Sequence, residues 1–354
     1  MKICIPLNDG WIYPNPFVAL QLQGVKDIDA NITIEKGVCR FWECDLNEFD
    51  IIHIYWPQCL VQEDYSHKTL NDLHNRLDLF DKAGVKIVST CLNLKAHYSN
   101  DNKANASYDL VYSKSHLILH LAEYSKKLLS SKYPYIQHEI LPHHVYDTIY
   151  KLLPEKRNCQ AKLGLSSSTI NILSFGTYRS EEERDFIKAT AKSIKDKKIR
   201  FIIPTFYPSP HGKLSFIKTH FKLLIIHLLY PNLICDCKYI DKDLPIYYRA
   251  TDISFIQRIN ILNSGNVPMG LLMGHVVVGT QNACVGDILK TTGNPTFDYH
   301  TIKSVVNAID DAVTLFREGK GEENRKYALS HYTVAITSKM LCRYYHSITN
   351  TSPK

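Results

Sequence analysis

The sequence predicts an α/β protein of two domains, each built around a parallel, doubly wound sheet. Short apolar runs rich in β-branched residues alternate with amphipathic helical patterns, which is the order expected when helices connect parallel strands. At 354 residues, the chain is also longer than one typical α/β core. The alternation stops at a polar stretch, 153–168, and then restarts. We therefore expect one domain on each side of that stretch.

The first domain is predicted over residues 1–152. Its clearest strands are Lys2–Leu7, Asp50–Trp56 and Val85–Cys91, each of which is an apolar run that ends in a turn or a polar loop. Between them, His67–Ala83 repeats large apolar residues on one helical face, and the glycine that follows is typical of a helix end. This order of elements favours a parallel sheet.

The second domain is predicted over residues 169–325, after a linker at 153–168 that contains Pro, Gly, charged residues and a run of serines. It opens with a strand at Thr169–Phe175. A closing helix is predicted near Lys326–Ile348, within a C-terminal segment of residues 326–354.

Composition and charge limit the class of protein. The apolar fraction of 45% and the charged fraction of 22% are those of a globular chain. The net charge of +7 is spread along the sequence, which suits a small polyanionic ligand or an anionic membrane surface, but is too diffuse to indicate nucleic acid. Ten cysteines without a C-x-x-C pair indicate reduced, mostly buried thiols and a cytoplasmic protein. Neither a signal peptide nor an apolar run of roughly 20 residues is found.

One stretch, Thr251–Leu289, has the local pattern of an anion site. An apolar strand at Ile253–Ile256 leads through a polar turn into a helix, so that backbone N–H groups and the positive end of the helix dipole converge on the turn. Arg258 adds a cationic donor just upstream. The turn consists of Asn263, Ser264, Gly265 and Asn266. The alternative is an ordinary strand-to-helix loop in which the helix cap already hydrogen-bonds the free N–H groups.

A second stretch, Lys213–Tyr230, combines three lysines with a dense apolar set. A basic, strongly apolar helix of this kind can lie in a membrane interface. Alternatively, it packs on its own sheet and the lysines extend along apolar surface to reach water.

Motifs in both halves of the chain add a family resemblance. In the first half they are DIIHIYWP (Asp50–Pro57), STCLNLKAH (Ser89–His97) and ILPHHVYDTIY (Ile140–Tyr150). In the second half they are ILSFGTYR (Ile172–Arg179), Arg258 with ILNSG (Ile261–Gly265), and MGHVVVG (Met273–Gly279). In order and spacing, these motifs resemble those of family-four-like bacterial glycosyltransferases of the GT-B fold, which build surface polysaccharides.

The resemblance implies two Rossmann-like domains that face each other across a cleft. The first would hold the acceptor, the second would hold a nucleotide sugar, and the final helix would return to the first domain. Neither a metal nor another cofactor is expected, because arginines and amides can stabilise the diphosphate leaving group. The residues expected to bind the nucleotide sugar are Gly176, Arg179, Arg184, Arg258, Asn263, Ser264, Gly265, Asn266 and Asp287.

The chain also departs from the family pattern. Leu92 stands where the motif usually has a histidine that reaches the donor sugar, and no glutamate lies between Arg184 and Arg317, so the usual Glu pair is missing. Glu182 replaces a lysine expected beside the phosphate, which is harmless if its side chain faces solvent.

Two residues are candidates for catalysis. Asp9 follows the first strand and could act as general base toward an acceptor hydroxyl, or could simply stabilise the turn. His97 could contact acceptor or phosphate, or be an exposed loop histidine. His53, in mid-strand, is expected to be a hydrogen-bonded core residue. Asp287 could accept from a sugar or ribose hydroxyl, or cap the helix that it begins.

The leading hypothesis is a cytoplasmic hexosyltransferase that moves a sugar from a nucleotide diphosphate to a glycan or lipid-linked glycan in surface polysaccharide synthesis, with peripheral contact at the inner membrane face. Retention or inversion is left open. A non-catalytic subunit that binds a glycan or a partner enzyme is the first alternative. A nucleotide-sugar epimerase of similar fold is the second.

Overall fold

The computed structural model describes residues 1–12, 16–96, 101–151, 154–238 and 243–350. By the density of its internal contacts the chain divides into two units, unit 1 (Met1–His144 with Tyr332–Lys354) and unit 2 (Val145–His331). Each unit contains a parallel six-stranded sheet flanked by helices. The predicted α/β class, with a doubly wound sheet in each half, is confirmed.

The sheet of unit 1 has the strand order β2-β1-β3-β4-β5-β6, and every neighbouring pair is parallel. Its strands are β1 (Lys2–Ile5), β2 (Thr33–Lys36), β3 (Ile51–Ile54), β4 (Lys86–Cys91), β5 (Leu117–His120) and β6 (Gln137–Ile140). Central strands such as β3 are buried along their whole length, as expected for a parallel sheet covered by helices. The edge strand β2 has no fully buried residue, which explains why apolar patterning did not reveal it.

Helices connect these strands. In unit 1 they are α1 (Asp9–Ile12), α2 (Pro16–Ile28), α3 (Val38–Glu43), α4 (Leu70–Lys82), α5 (Asn102–Lys114) and α6 (Glu123–Lys132). The start of α4 is set by Thr69, whose hydroxyl accepts from the Asp72 N–H at 3.1 Å while the Asp72 carboxylate accepts from the Thr69 N–H at 2.8 Å. This reciprocal cap starts the helix at Leu70, three residues after the predicted start at His67.

The sheet of unit 2 has the order β12-β11-β10-β7-β8-β9 and is also parallel throughout. Its strands are β7 (Ile170–Leu173), β8 (Ile199–Ile203), β9 (Leu233–Cys235), β10 (Ile253–Phe255), β11 (Val276–Thr280) and β12 (Thr296–Phe297). The chain builds outward from β7 through β8 to β9, and then returns to place β10 on the other side of β7. The strand order therefore reverses between β7 and β10, where ligands of such sheets usually bind.

The helices of unit 2 are α7 (Lys156–Leu163), α8 (Glu181–Ser193), α9 (Lys213–Leu229), α10 (Leu244–Ala250), α11 (Asn266–Leu272), α12 (Ala283–Thr291), α13 (Ile302–Arg317) and α14 (Lys320–His331). The stretch 153–168, expected to be a linker, contains α7, which packs on α10 and buries Cys159 and Gln160. Short polar helices of this kind are hard to distinguish from linkers by composition, because their packing partner is distant in sequence.

The closing helix predicted over Lys326–Ile348 is two helices. The first, α14, packs on α11, whereas the second, α15 (Val334–Asn350), packs on α2 of unit 1. Thr333 separates them, because its hydroxyl accepts from the Ile336 N–H at 3.2 Å and caps α15. The two helices belong to different units.

The contact of α15 with α2 is close. A Cβ on Gly24 would lie 2.3 Å from the Ser338 hydroxyl, so glycine is required for the two helices to approach. Further along α15, the Tyr345 hydroxyl is 2.6 Å from His53 Nδ1, and His53 Nε2 is 2.7 Å from the Thr90 hydroxyl. His53 is thus buried with both ring nitrogens hydrogen-bonded, as expected for a core residue.

Candidate functional site

The candidate site lies at the carboxyl ends of β7 and β10 in unit 2. These strands are neighbours in register, with Ile172 opposite Ile253 and Leu173 opposite Ser254. Both strands consequently release their loops at the same edge of the sheet. The loop after β7 leads to α8 and the loop after β10 leads to α11, which brings two of the predicted nucleotide-binding motifs together.

Hydrogen bonds tie the two loops to each other. Asn266 Nδ2 donates to the Phe175 carbonyl at 2.7 Å, and Gln257 Nε2 donates to the Gly176 carbonyl at 3.2 Å. Gln257 Oε1 in turn accepts from the Ser174 hydroxyl at 3.2 Å. The loop after β7 is therefore held by side chains from the loop after β10. Gln257 was missed at the sequence level, because a glutamine beside an arginine carries no motif of its own.

Three side-chain nitrogens lie close to Gly176. A Cβ at this position would lie 3.6 Å from Asn266 Nδ2, 3.6 Å from Gln257 Nε2 and 3.8 Å from Arg258 Nη2. We call these three nitrogens the donor cluster. Gly176 has φ 108°, a conformation that side chains rarely adopt, and a Cβ at this position would be in van der Waals contact with all three nitrogens. Such an arrangement of N–H donors suits an oxyanion.

The charge of Arg258 is compensated within unit 2. Its Nη1 donates to Glu183 Oε2 at 2.8 Å and to Oε1 at 3.1 Å, and both side chains are about nine-tenths buried, with exposures of 11% and 9%. The sequence-based expectation treated Arg258 as an uncommitted phosphate ligand. The structure instead pairs one of its terminal nitrogens with a carboxylate and leaves Nη2 near Gly176.

Glu183 rather than Glu182 is the acidic residue of this site. Glu182 is exposed on the first turn of α8, so its carboxylate, which departs from the family pattern, faces solvent. Glu183 Oε2 also accepts from the Arg179 N–H at 2.7 Å, while the Glu183 N–H donates to the Ser180 hydroxyl at 3.2 Å. The S-x-x-E signal of a capping box was present at Ser180, and could have identified Glu183.

Arg184 supports the loop. Its Nη1 donates to the Tyr178 carbonyl at 3.1 Å and its Nη2 to Glu181 at 2.8 Å. Its Cζ lies 5.5 Å from the centre of the Tyr207 ring. The Nε is buried without a hydrogen-bond partner within the part of the chain that the structure describes. The side chain is thus mostly committed to the loop itself.

The other residues predicted to bind nucleotide occupy different environments. Arg179 is exposed within the loop after β7, and Asn263, Ser264 and Gly265 lie half-buried before α11. The start of α11 offers fewer open amides than expected, because the Asn266 N–H donates to the Ser264 hydroxyl at 3.3 Å and the Val267 N–H donates to the Ser264 carbonyl at 3.2 Å. Side-chain donors therefore carry more of this site than the helix end does.

Asp287 lies inside α12, not at its start. The helix begins at Ala283, after the N-cap position Asn282, so the expectation that Asp287 caps the helix it begins is wrong. Its carboxylate is a full turn too far along to accept from the first N–H groups. The helix starts instead at a left-handed residue, since Ala283 has φ 56°. A non-glycine residue in this conformation is strained, and such strain tends to concentrate at functional positions.

One catalytic candidate, Asp9, belongs to unit 1. Asp9 begins the short helix α1, is exposed, and forms an ion pair with Lys36 at 2.7 Å. His97 lies outside the described residues. Leu92 is buried in the apolar core of unit 1.

Unit 1 also contains histidines that the sequence did not single out. The His143 ring lies 4.3 Å from the Phe17 ring centre to centre, and burial lowers its pKa to about 3. His120 Nε2 is 2.9 Å from His138 Nδ1, and burial lowers the pKa of His120 to about 3 as well. Both side chains are therefore neutral near pH 7.

The described residues contain no group of three or more His, Cys, Asp or Glu side chains that could hold a metal ion. Among the helices that the structure describes, none is both long enough and apolar enough to cross a membrane. The expectation that no metal is needed stays a prediction.

Solved structures are similar to this chain over nearly its whole length. No protein-family model and no curated protein sequence matches it. Among solved structures, it is similar to sucrose-phosphate synthase from Thermosynechococcus elongatus, with a TM-score of 0.70, 10% identity and coverage of 99% of this chain and 100% of that one. It is also similar to Anabaena HepE in complex with UDP, with a TM-score of 0.70, 11% identity and coverage of 98% and 99%.

The chain has the GT-B fold. The fold resemblance inferred from the sequence motifs is thereby confirmed. A UDP-GlcNAc 2-epimerase from Neisseria meningitidis, bound to UDP-GlcNAc, is also similar, with a TM-score of 0.56, 13% identity and coverage of 98% and 100%. Similarities at such identities establish the fold alone, and this fold hosts more than one reaction.

Proposed function

We propose that the protein is a glycosyltransferase that uses a nucleoside-diphosphate sugar. The donor diphosphate binds in front of Gly176, against the donor cluster of Gln257, Arg258 and Asn266. The acceptor is a glycan or lipid-linked glycan of a surface polysaccharide, and the protein works in the cytoplasm with peripheral contact at the inner membrane face. Retention or inversion of configuration is left open in this proposal.

One observation carries the donor site. Three N–H-bearing nitrogens converge at the carboxyl ends of β7 and β10, where the strand order of the sheet reverses. A diphosphate is an oxyanion that such donors bind, and a leaving diphosphate gains charge during transfer, which fixed donors stabilise. The GT-B fold and the UDP bound to the similar HepE support the choice of ligand.

Gly176→Ala tests the proposed position of the diphosphate. The new methyl group would occupy the space in front of the donor cluster, so UDP binding should weaken by about 1.5–3 kcal/mol, the scale of one or two charge-assisted hydrogen bonds. Isothermal titration with UDP and UDP-glucose gives the affinities.

Gly164→Ala is the matched control. Gly164 also has a left-handed conformation, with φ 64°, but no atom lies within 4 Å of the position of its missing Cβ. Alanine is strained at this position too, although less than at the φ of 108° of Gly176, and should leave UDP affinity unchanged. Equal affinities for the two variants would remove Gly176 from the site.

The activity itself needs a transfer assay. The purified protein is incubated with labelled UDP- and GDP-sugars and a lipid-linked acceptor, and product is followed by chromatography. We expect transfer from one donor. Absence of both transfer and nucleotide-sugar binding across the donors would reject the proposal.

A binding-only subunit is the second candidate. Two ion pairs favour it. Arg258, the cation of the donor site, is paired with Glu183, and Asp9, the one described catalytic candidate, is paired with Lys36. Such a subunit would bind a glycan or a partner enzyme and show no affinity for UDP or GDP in titration.

An epimerase is a third candidate, favoured by the similarity to the UDP-GlcNAc 2-epimerase. It would change the configuration of the nucleotide sugar in the absence of any acceptor. Proton NMR of the nucleotide sugar after incubation with the protein alone separates this activity from transfer.

A further inference from the structure

Helix α9 shows more large apolar side chains to solvent than to its own sheet. Only Leu223 and Ile226 are buried. Eight others have exposures between 40% and 75%, namely Leu214, Phe216, Ile217, Phe221, Leu224, Ile225, Leu228 and Leu229. Single exposed apolar residues are common on protein surfaces, but a set of this size on one helix marks an interaction surface.

Five of these eight side chains form a continuous stripe. Leu214, Ile217, Phe221, Leu224 and Leu228 recur at intervals of three and four residues, which places them on one face of the helix. Leu223 and Ile226 point the opposite way, into unit 2. The usual arrangement of a surface helix is thus reversed, with the more apolar face outward. We call the outward face of Lys213–Leu229 the α9 stripe.

The charges on α9 favour an anionic occupant. Lys213, Lys218 and Lys222 are exposed, and the helix contains no Asp or Glu. On a helical projection Lys218 and Lys222 lie on one side of the stripe and Lys213 lies on the other. A helix with an apolar face bordered by lysines can bury that face among acyl chains while the ammonium groups reach anionic headgroups.

We propose that α9 is an in-plane membrane anchor that binds the surface of a bilayer containing anionic phospholipids. The α9 stripe enters the boundary between headgroups and acyl chains, and the three lysines contact lipid phosphates. The helix has 17 residues and lies on the surface rather than crossing it. This inference names the surface for the membrane contact suggested under the proposed function, but it does not depend on sugar transfer.

A second copy of the chain suits the α9 stripe less well. Two α9 helices packed face to face would bring the lysines of both copies together, with no acidic side chain on either helix to pair with them. Ile225 and Leu229 also widen the stripe beyond the narrow seam that two packed helices bury. A flat lipid surface accommodates a wide stripe and supplies the negative charge.

Vesicle sedimentation of the full chain tests the proposal. We expect binding to vesicles of phosphatidylcholine with phosphatidylglycerol, and much weaker binding to vesicles of phosphatidylcholine alone. The variant Ile217→Ser/Phe221→Ser/Leu228→Ser should reduce partitioning to the anionic vesicles by about tenfold or more, because it removes the centre of the apolar stripe.

A matched control replaces three exposed apolar residues on other elements, Leu79→Ser/Leu128→Ser/Ile149→Ser. It should bind vesicles like the wild type. Circular dichroism and UDP titration of both variants show whether the fold and the donor site are retained. If they are, a loss of vesicle binding is assigned to α9. This conclusion holds even if sugar transfer is never detected.

The lysines are tested separately. The variant Lys213→Gln/Lys218→Gln/Lys222→Gln should lose on the order of tenfold or more in partitioning to anionic vesicles, and its remaining binding should no longer weaken with salt. Absence of wild-type binding to anionic vesicles would overturn the proposal. So would sedimentation velocity that shows a wild-type dimer which the serine variant converts to monomer.

Discussion

The two units share an architecture of six parallel strands, and they differ in strand order and in where they place their polar side chains. Both have six parallel strands, and in both the strand order reverses beside the first strand, between β1 and β3 in unit 1 and between β7 and β10 in unit 2. In unit 2 the donor cluster occupies that position. In unit 1 several polar side chains close to it are used for packing, as where the Tyr55 hydroxyl donates to Gln21 at 2.7 Å.

This difference shows that the fold supplies the position and the loops supply the chemistry. A parallel sheet whose strand order reverses creates a crevice whatever its sequence. Whether an anion can bind there depends on a few residues, such as Gly176 and Asn266, that bring side-chain nitrogens close to the loop backbone. Unit 1 instead buries histidines within its core, among them His53 and His120.

The largest expected effect of this difference is on acid stability. Burial lowers the pKa of His53, His120 and His143 in unit 1 to about 3, and does the same for His275 in unit 2. Because the folded pKa lies below that of the unfolded chain, the unfolded state takes up protons first as the pH falls. Each such histidine lowers the free energy of unfolding by about 1.4 kcal/mol per pH unit between about pH 6.5 and pH 3.

Unit 1 should therefore lose stability more steeply than unit 2 on acidification. All three tryptophans, Trp11, Trp42 and Trp56, are in unit 1, so tryptophan fluorescence reports on that unit while far-UV circular dichroism reports on both. In a titration from about pH 7 to pH 4, fluorescence should change before most of the dichroism is lost. Coincident transitions would contradict this order. His53→Gln removes one titrating group and should make the fluorescence transition less steep in pH.

The next effect concerns the buried ion pair of unit 2. Glu183→Ala leaves the guanidinium of Arg258 without its carboxylate, so the free energy of unfolding should fall by about 3–5 kcal/mol. UDP should raise the melting temperature of this variant more than that of the wild type, because a phosphate then replaces the lost partner. Thermal melts with and without UDP measure both changes.

Glu182→Ala is the control for that experiment. Glu182 is exposed on the same turn of α8, so its replacement should change stability by no more than about 0.5 kcal/mol. If Glu183→Ala is as stable as Glu182→Ala, the ion pair contributes nothing, and Arg258 is available to ligands in the wild type.

The smallest effect on stability is expected for Asp9→Asn in unit 1. The ion pair of Asp9 with Lys36 is exposed, and such pairs contribute about 0–1 kcal/mol. If Asp9 is the general base, the turnover number for transfer should fall by about 100-fold or more while UDP affinity stays constant. Single-turnover assays measure transfer, and titration measures binding. Unchanged transfer would assign Asp9 a structural role.

Much of the fold could be predicted because it depends on local pattern. Buried strands such as β3 and β11 are runs of apolar residues, and the amphipathic helices α4 and α13 repeat such residues on one face. The strand β2 was missed because an exposed edge strand needs no such run. Two helices were predicted as one at Thr333, since both are helical by propensity and only their packing partners differ.

The candidate site was predicted in part, for a related reason. Gly176, Arg258 and Asn266 were expected together because their motifs resemble those of the nucleotide-sugar site in GT-B glycosyltransferases. The role of Glu183 was not expected, since it is 75 positions away from Arg258 in sequence. Asp287 was misplaced because the helix boundary depends on the backbone of Ala283.

The sequence by itself determined the α/β class, the loop after β10 and the unusual composition of α9, because each depends on residues that are close together in the chain. Tertiary structure decided which charges meet and which apolar surfaces stay uncovered. It paired Arg258 with Glu183, set three nitrogens in front of Gly176, and turned the more apolar face of α9 outward. These are relations between segments that are distant in the chain, and they are fixed only when the sheet brings the segments together.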